Sequence, residues 1–291
     1  MQIVRLIALG FVALLCACSP TASTAPAGGK ISIVTSFSTL NSFVEGVGGS
    51  RVIVHNLVPV GASPENYEPT PQDVATLSNA QMLVVNGAGI ESWLGKTLSN
   101  AQNAALHTIV CTDGLPVRTG NPHLWMDPVY AKQYVAKIRD GLIAVDSAHA
   151  AEYRANAVAY DAKLDALTAY VRSQIATIPA KRRTMIVFHN AWEYYNARFG
   201  IDTVGVIETN PGQDPNPQQI ASLVDLAKRY DVRAVFAEPE YSPKLAQSLA
   251  RSAGIAVVGD LYDDSIGTNP KVGDYLSMIR YDTATIVAAL R

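Results

Sequence analysis

Apolar runs bounded by turn residues recur along the chain with helical stretches between them. The strand-like runs are Ile31 to Thr35, Val52 to Val60, Met82 to Asn86 and Thr108 to Cys111, followed by Thr184 to Phe188, Thr203 to Ile207, Ala234 to Ala237 and Ala256 to Val258. Strands that alternate with helices predict parallel sheets covered by helices. Between the fourth and fifth runs, apolar residues fall at helical spacing through Tyr153, Ala157, Tyr160, Leu164, Leu167 and Val171. One helix is therefore predicted from about Ser147 to Ile178, capped by Asp146 or Ser147 and ended by Pro179. At 1.5 Å per residue it runs roughly 45 to 50 Å, long enough to cross a lobe or to join two. The expected fold class is α/β with two lobes, each a parallel sheet flanked by helices, joined by one long rigid helix. This places an N-terminal α/β lobe at 30–146, the linking helix at 147–179 and a C-terminal α/β lobe at 180–291.

The first 29 residues follow a different pattern. Arg5 precedes a continuous apolar run from Ile7 to Cys16, too short to span a bilayer as a helix of about 20 residues. This predicts a signal peptide over 1–17. Leu15-Cys16-Ala17-Cys18 resembles a bacterial lipobox, which implies cleavage before Cys18 and lipidation of its thiol. Ordinary secretion with cleavage after a small residue is the alternative. Residues 18–29, rich in Thr, Ser, Ala, Pro and Gly, have the composition of a tether. Cys111 is then the one cysteine of the mature domain, so an internal disulfide is impossible and the exported chain depends on its core. It closes an apolar strand and reads as a small hydrophobe.

In open parallel sheets, ligands bind beyond the carboxyl ends of the strands. Four loops, Pro64–Pro71, Asn121–Pro128, Phe188–Trp192 and Leu261–Gly267, follow or adjoin apolar runs and carry Glu65, His123, His189 and Asp264. Imidazoles and carboxylates are the donors of a divalent-metal site, and two loops come from each lobe, which puts the site in the cleft. Asp263 competes with Asp264 on spacing alone. Other residues have structural readings. Asp127 before Pro128 reads as a helix N-cap, and Glu193, three residues after Asn190, as the return half of a capping box. Glu68 precedes a helix start at Thr70-Pro71, and His55, His107 and His149 have no motif around them. A net charge of −2 leaves no basic excess for nucleic acid.

These residues resemble the cluster A-I solute-binding proteins of zinc and manganese ABC transporters, over nearly the whole mature chain. The family's first element, G-x-D-P-H-x-Y-E-P-T-P, stands here as Gly61-Ala62-Ser63-Pro64-Glu65-Asn66-Tyr67-Glu68-Pro69-Thr70-Pro71, with Glu65 in place of the ligand histidine. Its N-P-H-x-W-x-D-P element is intact and implies His123 as a ligand. The F-H-x-A-x-x-Y pattern of Phe188 to Tyr194 implies His189, and a D-S-I element implies Asp264. Phe236-Ala237-Glu238-Pro239 and Tyr275 to Tyr281 match family segments that carry no ligand.

The resemblance implies a monomeric extracytoplasmic receptor, anchored to the bacterial cell membrane through lipidated Cys18, that hands its ion to an ABC permease subunit without performing chemistry. Zinc is favoured as the transported ion on affinity order. Manganese stands close and ferrous iron is an alternative, because two carboxylates make a harder set than three imidazoles and one aspartate. A surface adhesin is the alternative function, and a zinc-dependent hydrolase a weaker one, since no H-E-x-x-H helix or nucleophile elbow is present.

Overall fold

The computed structural model describes residues 29–209 and 212–291, so the signal peptide, Cys18 and nearly all of the tether lie outside the described residues. The first half runs β1 (Ile31–Thr35), α1 (Ser38–Gly48), β2 (Val52–Asn56), α2 (Pro71–Ser78), β3 (Met82–Val85), α3 (Leu94–Ala101), β4 (His107–Val110) and α4 (Pro128–Val145). After α5 (Ala150–Ile175) come β5 (Thr184–Val187), α6 (Glu193–Phe199), β6 (Asp202–Val206), α7 (Pro217–Arg229), β7 (Ala234–Phe236), α8 (Lys244–Ala253), β8 (Ala256–Val258) and α9 (Tyr275–Leu290). The strands form two parallel sheets ordered β2-β1-β3-β4 and β6-β5-β7-β8. In each, the chain adds one strand on one side of its first strand and then crosses to the other. A crevice therefore opens between β1 and β3 and between β5 and β7, the places where such sheets bind ligands.

Two expected elements are shorter than the pattern suggested. The run from Val52 ends as a strand at Asn56. Leu57 and Val58 still donate to the Thr35 and Ser36 carbonyls, but the chain then turns at Pro59, whose carbonyl accepts from Ala62. The long helix begins at Ala150, after a 3-10 turn over Ser147–His149, and neither Asp146 nor Ser147 caps it. Asp146 instead accepts from His149 Nδ1 and Tyr153 Oη, both at 2.6 Å, and so ties the turn to the helix. With 26 residues, α5 spans about 39 Å.

The stripe Tyr153, Ala157, Tyr160, Leu164, Leu167, Val171 and Ile175 is the buried face of α5. It packs into one hydrophobic cluster that also holds Ile31, Phe43 and Met82 from the first half and Met185, Val187 and Phe236 from the second. The last helix, α9, returns across the molecule, placing Tyr275 4.6 Å from the Phe43 ring and donating its backbone N–H to Ser42 Oγ. Removing one of these fully buried side chains, as in Leu164→Ala, would cost about 2 to 5 kcal/mol. Smaller clusters lie on the other faces of the sheets, around Leu77 and Leu83 in one lobe and Leu223 and Leu249 in the other.

Candidate metal centre

The crevice of the first sheet is plugged by Glu91. Its carboxylate accepts from Ser36 Oγ at 2.7 Å and from the backbone N–H groups of Asn86 at 2.7 Å and Gly87 at 3.0 Å. Asn86 is thereby fixed and donates its amide to the Pro122 carbonyl at 3.0 Å, which holds the loop just before His123. The chain then makes a 3-10 turn over Leu124–Met126, and Asp127 caps α4 by accepting from the Val129 N–H. The turn buries Trp125, whose ring lies 5.0 Å from that of Phe37 and whose indole donates to the Asp263 carbonyl of the other half.

In the second sheet the crevice is in use. His189 follows β5 and Glu238 follows β7, the two strands on either side of it, and Glu238 Oε2 meets His189 Nδ1 at 2.5 Å. The loop after β8 delivers Asp263 and Asp264, both fully buried. Asp263 accepts from the Trp192 indole at 3.1 Å and from the Asp264 N–H at 2.6 Å, while Asp264 Oδ2 accepts from Ser63 Oγ at 3.3 Å. Spacing left these two aspartates tied; here Asp263 is occupied as a brace and Asp264 faces the histidines.

His123, His189 and Asp264 converge. His123 Nε2 lies 3.3 Å from His189 Nε2 and 3.4 Å from Asp264 Oδ1, and His189 Nε2 lies 3.8 Å from Asp264 Oδ2. Glu65 Oε1 stands 3.9 Å from His123 Nε2, and Glu65 Oε2 and Asp264 Oδ1 are buried without hydrogen-bond partners. A tetrahedral ion with bonds of about 2.0 to 2.1 Å has donor-to-donor edges of roughly 3.3 to 3.4 Å. The two shorter edges match this, and the longer ones make the set roomier than a regular tetrahedron.

The ring tautomers point the same way. His189 Nδ1 faces a carboxylate, and His123 Nδ1 faces Asn121 Oδ1 at 3.0 Å. Both Nδ1 atoms are therefore the protonated ones and both Nε2 lone pairs are turned into the centre. Burial alone would depress the pKa of His189, but the Glu238 and Asp263 carboxylates outweigh it and hold it well above the ordinary value. Burial raises Glu65, and the Asp264 charge raises it further. Asp264 is itself held below its ordinary value: burial opposes ionisation, but the His123 and His189 imidazoles beside it prevail. Carboxylates crowded beside two imidazoles make a strong cation attractor. Next to it lies a cavity of about 730 Å³, lined by Ser63, Glu68, Glu208, Asp214, Glu240 and Tyr241 among others.

Near the centre, Glu193 and Glu238 have roles that differ from those the sequence suggests. Glu193 caps nothing, since α6 begins after Trp192 without a side-chain cap; its carboxylate goes to Arg118 and Asn121. Glu238 stood in a segment without a ligand and here orients His189. Its signal was its place after β7, beside the β5 loop, which only the strand order reveals. His55 and His107 sit on strands and His149 in the turn before α5, all away from the centre.

The family of zinc-uptake complex component A periplasmic proteins matches residues 33–289. The manganese-binding lipoprotein MntA of Halalkalibacterium halodurans is 34% identical over 99% of this chain and 96% of its own. The iron-binding protein YfeA of Yersinia pestis is 32% identical over 88% of this chain and 85% of its own. Among solved structures, the periplasmic zinc-binding protein TroA of Treponema pallidum superposes with a TM-score of 0.83 at 24% identity, covering 90% of this chain and 99% of that one.

Proposed function

The chain belongs to the family of zinc-uptake complex component A periplasmic proteins, receptors rather than enzymes, and from that membership we propose that it binds a divalent transition-metal ion through Glu65, His123, His189 and Asp264. It then presents the ion to the permease of an ABC importer. The observation that carries the reading is the pair of Nε2 lone pairs facing each other at 3.3 Å with Asp264 Oδ1 at 3.4 Å from one of them. No uncharged arrangement satisfies three acceptors turned on one point, whereas a dication does. Calorimetry tests it: the His123→Ala, His189→Ala double variant should lose binding, and binding as tight as the parent's would overturn the assignment.

For the cargo, the reading puts manganese first. Two carboxylates with two imidazoles form a harder donor set than three imidazoles with one aspartate. The edges of 3.8 and 3.9 Å leave room for an ion larger than tetrahedral zinc. The relative named for manganese supports the same choice. Metal analysis of protein purified from its native envelope decides it, with manganese expected; a zinc-loaded population would overturn this choice alone.

Cys18, outside the described residues, is proposed to carry the lipid that keeps a monomeric receptor beside its permease. A Cys18→Ser precursor should no longer partition into detergent as an acylated protein.

A further inference from the structure

His123 belongs to the first half of the chain, yet what fixes its ring comes in part from the second. Its Nδ1–H and its backbone N–H both donate to Asn121 Oδ1, at 3.0 and 3.1 Å. The amide of Asn121 is spread in the opposite direction, its Nδ2 donating to the Asn190 carbonyl at 2.8 Å and to Glu193 Oε2 at 2.9 Å. Asn121 is 3% exposed, so water does not compete for these bonds. The other oxygen of Glu193 takes a 2.6 Å bond from Arg118 Nη1. Both partners of that ion pair are more than a third exposed, and a pair of this kind contributes only about 0 to 1 kcal/mol. The buried half of Glu193 is the consequential one.

We propose that Glu193 is a positioning residue for His123, acting across the boundary between the lobes through the Asn121 side chain. The proposal rests on the reading of His123 as a metal ligand. An asparagine amide can turn end for end, exchanging acceptor and donor. With two acceptors placed at Nδ2, the amide has one arrangement that satisfies both hydrogens, and it turns Oδ1 towards His123. That oxygen holds the imidazole proton on Nδ1 and leaves Nε2 free for the ion. Were the amide reversed, its NH₂ would face Nδ1 and drive the proton to Nε2, the atom that must be bare. Arg118 keeps the carboxylate aimed, and Tyr194 steadies the same loop by accepting from the Arg118 N–H and donating to the Asn121 carbonyl. Arg118 and Asn121 lie before the linking helix and Glu193 and Tyr194 after it. The preferred tautomer of His123 is therefore enforced when the two halves are together.

The full mature chain is titrated with Mn²⁺ by calorimetry as parent, Glu193→Ala, Asn121→Ala and the double variant. Glu193→Ala should weaken binding roughly three- to tenfold, less than the tenfold to hundredfold typical of a direct partner of a ligand, because the Asn190 carbonyl remains. The double variant should be no weaker than Asn121→Ala; additive losses would overturn the relay. Glu193→Gln keeps an acceptor for Asn121 and should restore affinity to within about twofold; a glutamine variant as weak as the alanine one would overturn the proposal. Imidazole ¹⁵N shifts give a reading that needs no Asn121 variant. His123 should be the Nδ1–H tautomer in the parent and a mixture in Glu193→Ala, and an unchanged tautomer counts against the relay. His123→Ala separates the two levels of the argument. If it binds like the parent, the ligand assignment fails; if it loses binding while the cycle is additive, only the role of Glu193 fails.

Discussion

The Nε2 atoms of His123 and His189 stand 3.3 Å apart, while each ring gives its Nδ1 proton to an acceptor on the far side, Asn121 for one and Glu238 for the other. Two lone pairs held face to face repel until something positive lies between them. That something is a proton or a metal ion, and the two compete.

Metal affinity should consequently fall on acidification, because each imidazole must be neutral to coordinate. Glu238 and Asp263 hold the pKa of His189 well above its ordinary 6.5. The loss should therefore already be measurable between pH 8 and 7 and deepen towards 5.5. Calorimetric Mn²⁺ titrations in buffers of different ionisation enthalpy report both the affinity and the protons released. A flat profile over this range would contradict histidine coordination.

Metal-free protein should show the corresponding trend in stability. His189, raised in the folded state, contributes stability that is complete below 6.5 and lost as pH climbs through its folded pKa. Glu240 has the same sign: burial, then the Asp264 and Glu238 charges, push its pKa up to about 8 from an ordinary 4.5, so ionising it costs the folded form across that interval. Asp264, lowered, acts only below about 3.8 and does not oppose them. The Tm of the metal-free protein should drop from pH 5.5 to 8.5, and saturating Mn²⁺ should reverse the trend. A metal-free Tm that rises over this range would refute the assignment of these charges.

Replacing Glu65 should change which ion is preferred. Glu65→His supplies a third imidazole and should raise the zinc-to-manganese affinity ratio by about tenfold, or 1.4 kcal/mol. Glu65→Ala should weaken both ions. Competition titrations with the two metals give the ratio, and a ratio unmoved by the histidine would mean that Glu65 is not a ligand.

Glu238 offers a test away from the ion. Glu238→Ala strips His189 of its Nδ1 acceptor and should reduce Mn²⁺ affinity by roughly tenfold to a hundredfold. Glu238→Gln, which can still accept, should lose less. Equal losses in the two variants would argue against orientation of the ring as the cause.

The parallel βα architecture was legible because strand-like runs and the α5 stripe are local patterns. The four loops were legible because their motifs are contiguous, and the structure does bring His123, His189 and Asp264 together. What escaped was whatever depends on a partner remote in sequence. Glu193 looked like a cap because Asn190 lies three residues before it, whereas its partners Arg118 and Asn121 are more than 70 positions away. Asp146 is a local exception: it stands just before the helical stripe, but the turn over Ser147–His149 separates it from α5 and its partners are His149 and Tyr153. Glu238 became interpretable only once β5 and β7 were known to be neighbours. Asp263 and Asp264 are adjacent in sequence, so only their surroundings distinguish brace from ligand.

The apolar interior that joins Phe43 and Tyr275 to Met185 and Phe236 through α5 makes the two halves mechanically one body. Swinging them apart by tens of degrees would expose that interior to water at roughly 25 cal/mol for every Å² uncovered, so the receptor has little compliance about its waist. An ion held at the proposed site of Glu65, His123, His189 and Asp264 would then be captured and surrendered through small excursions of those loops. Prising them open would be work for the importer rather than an elastic property of the receptor.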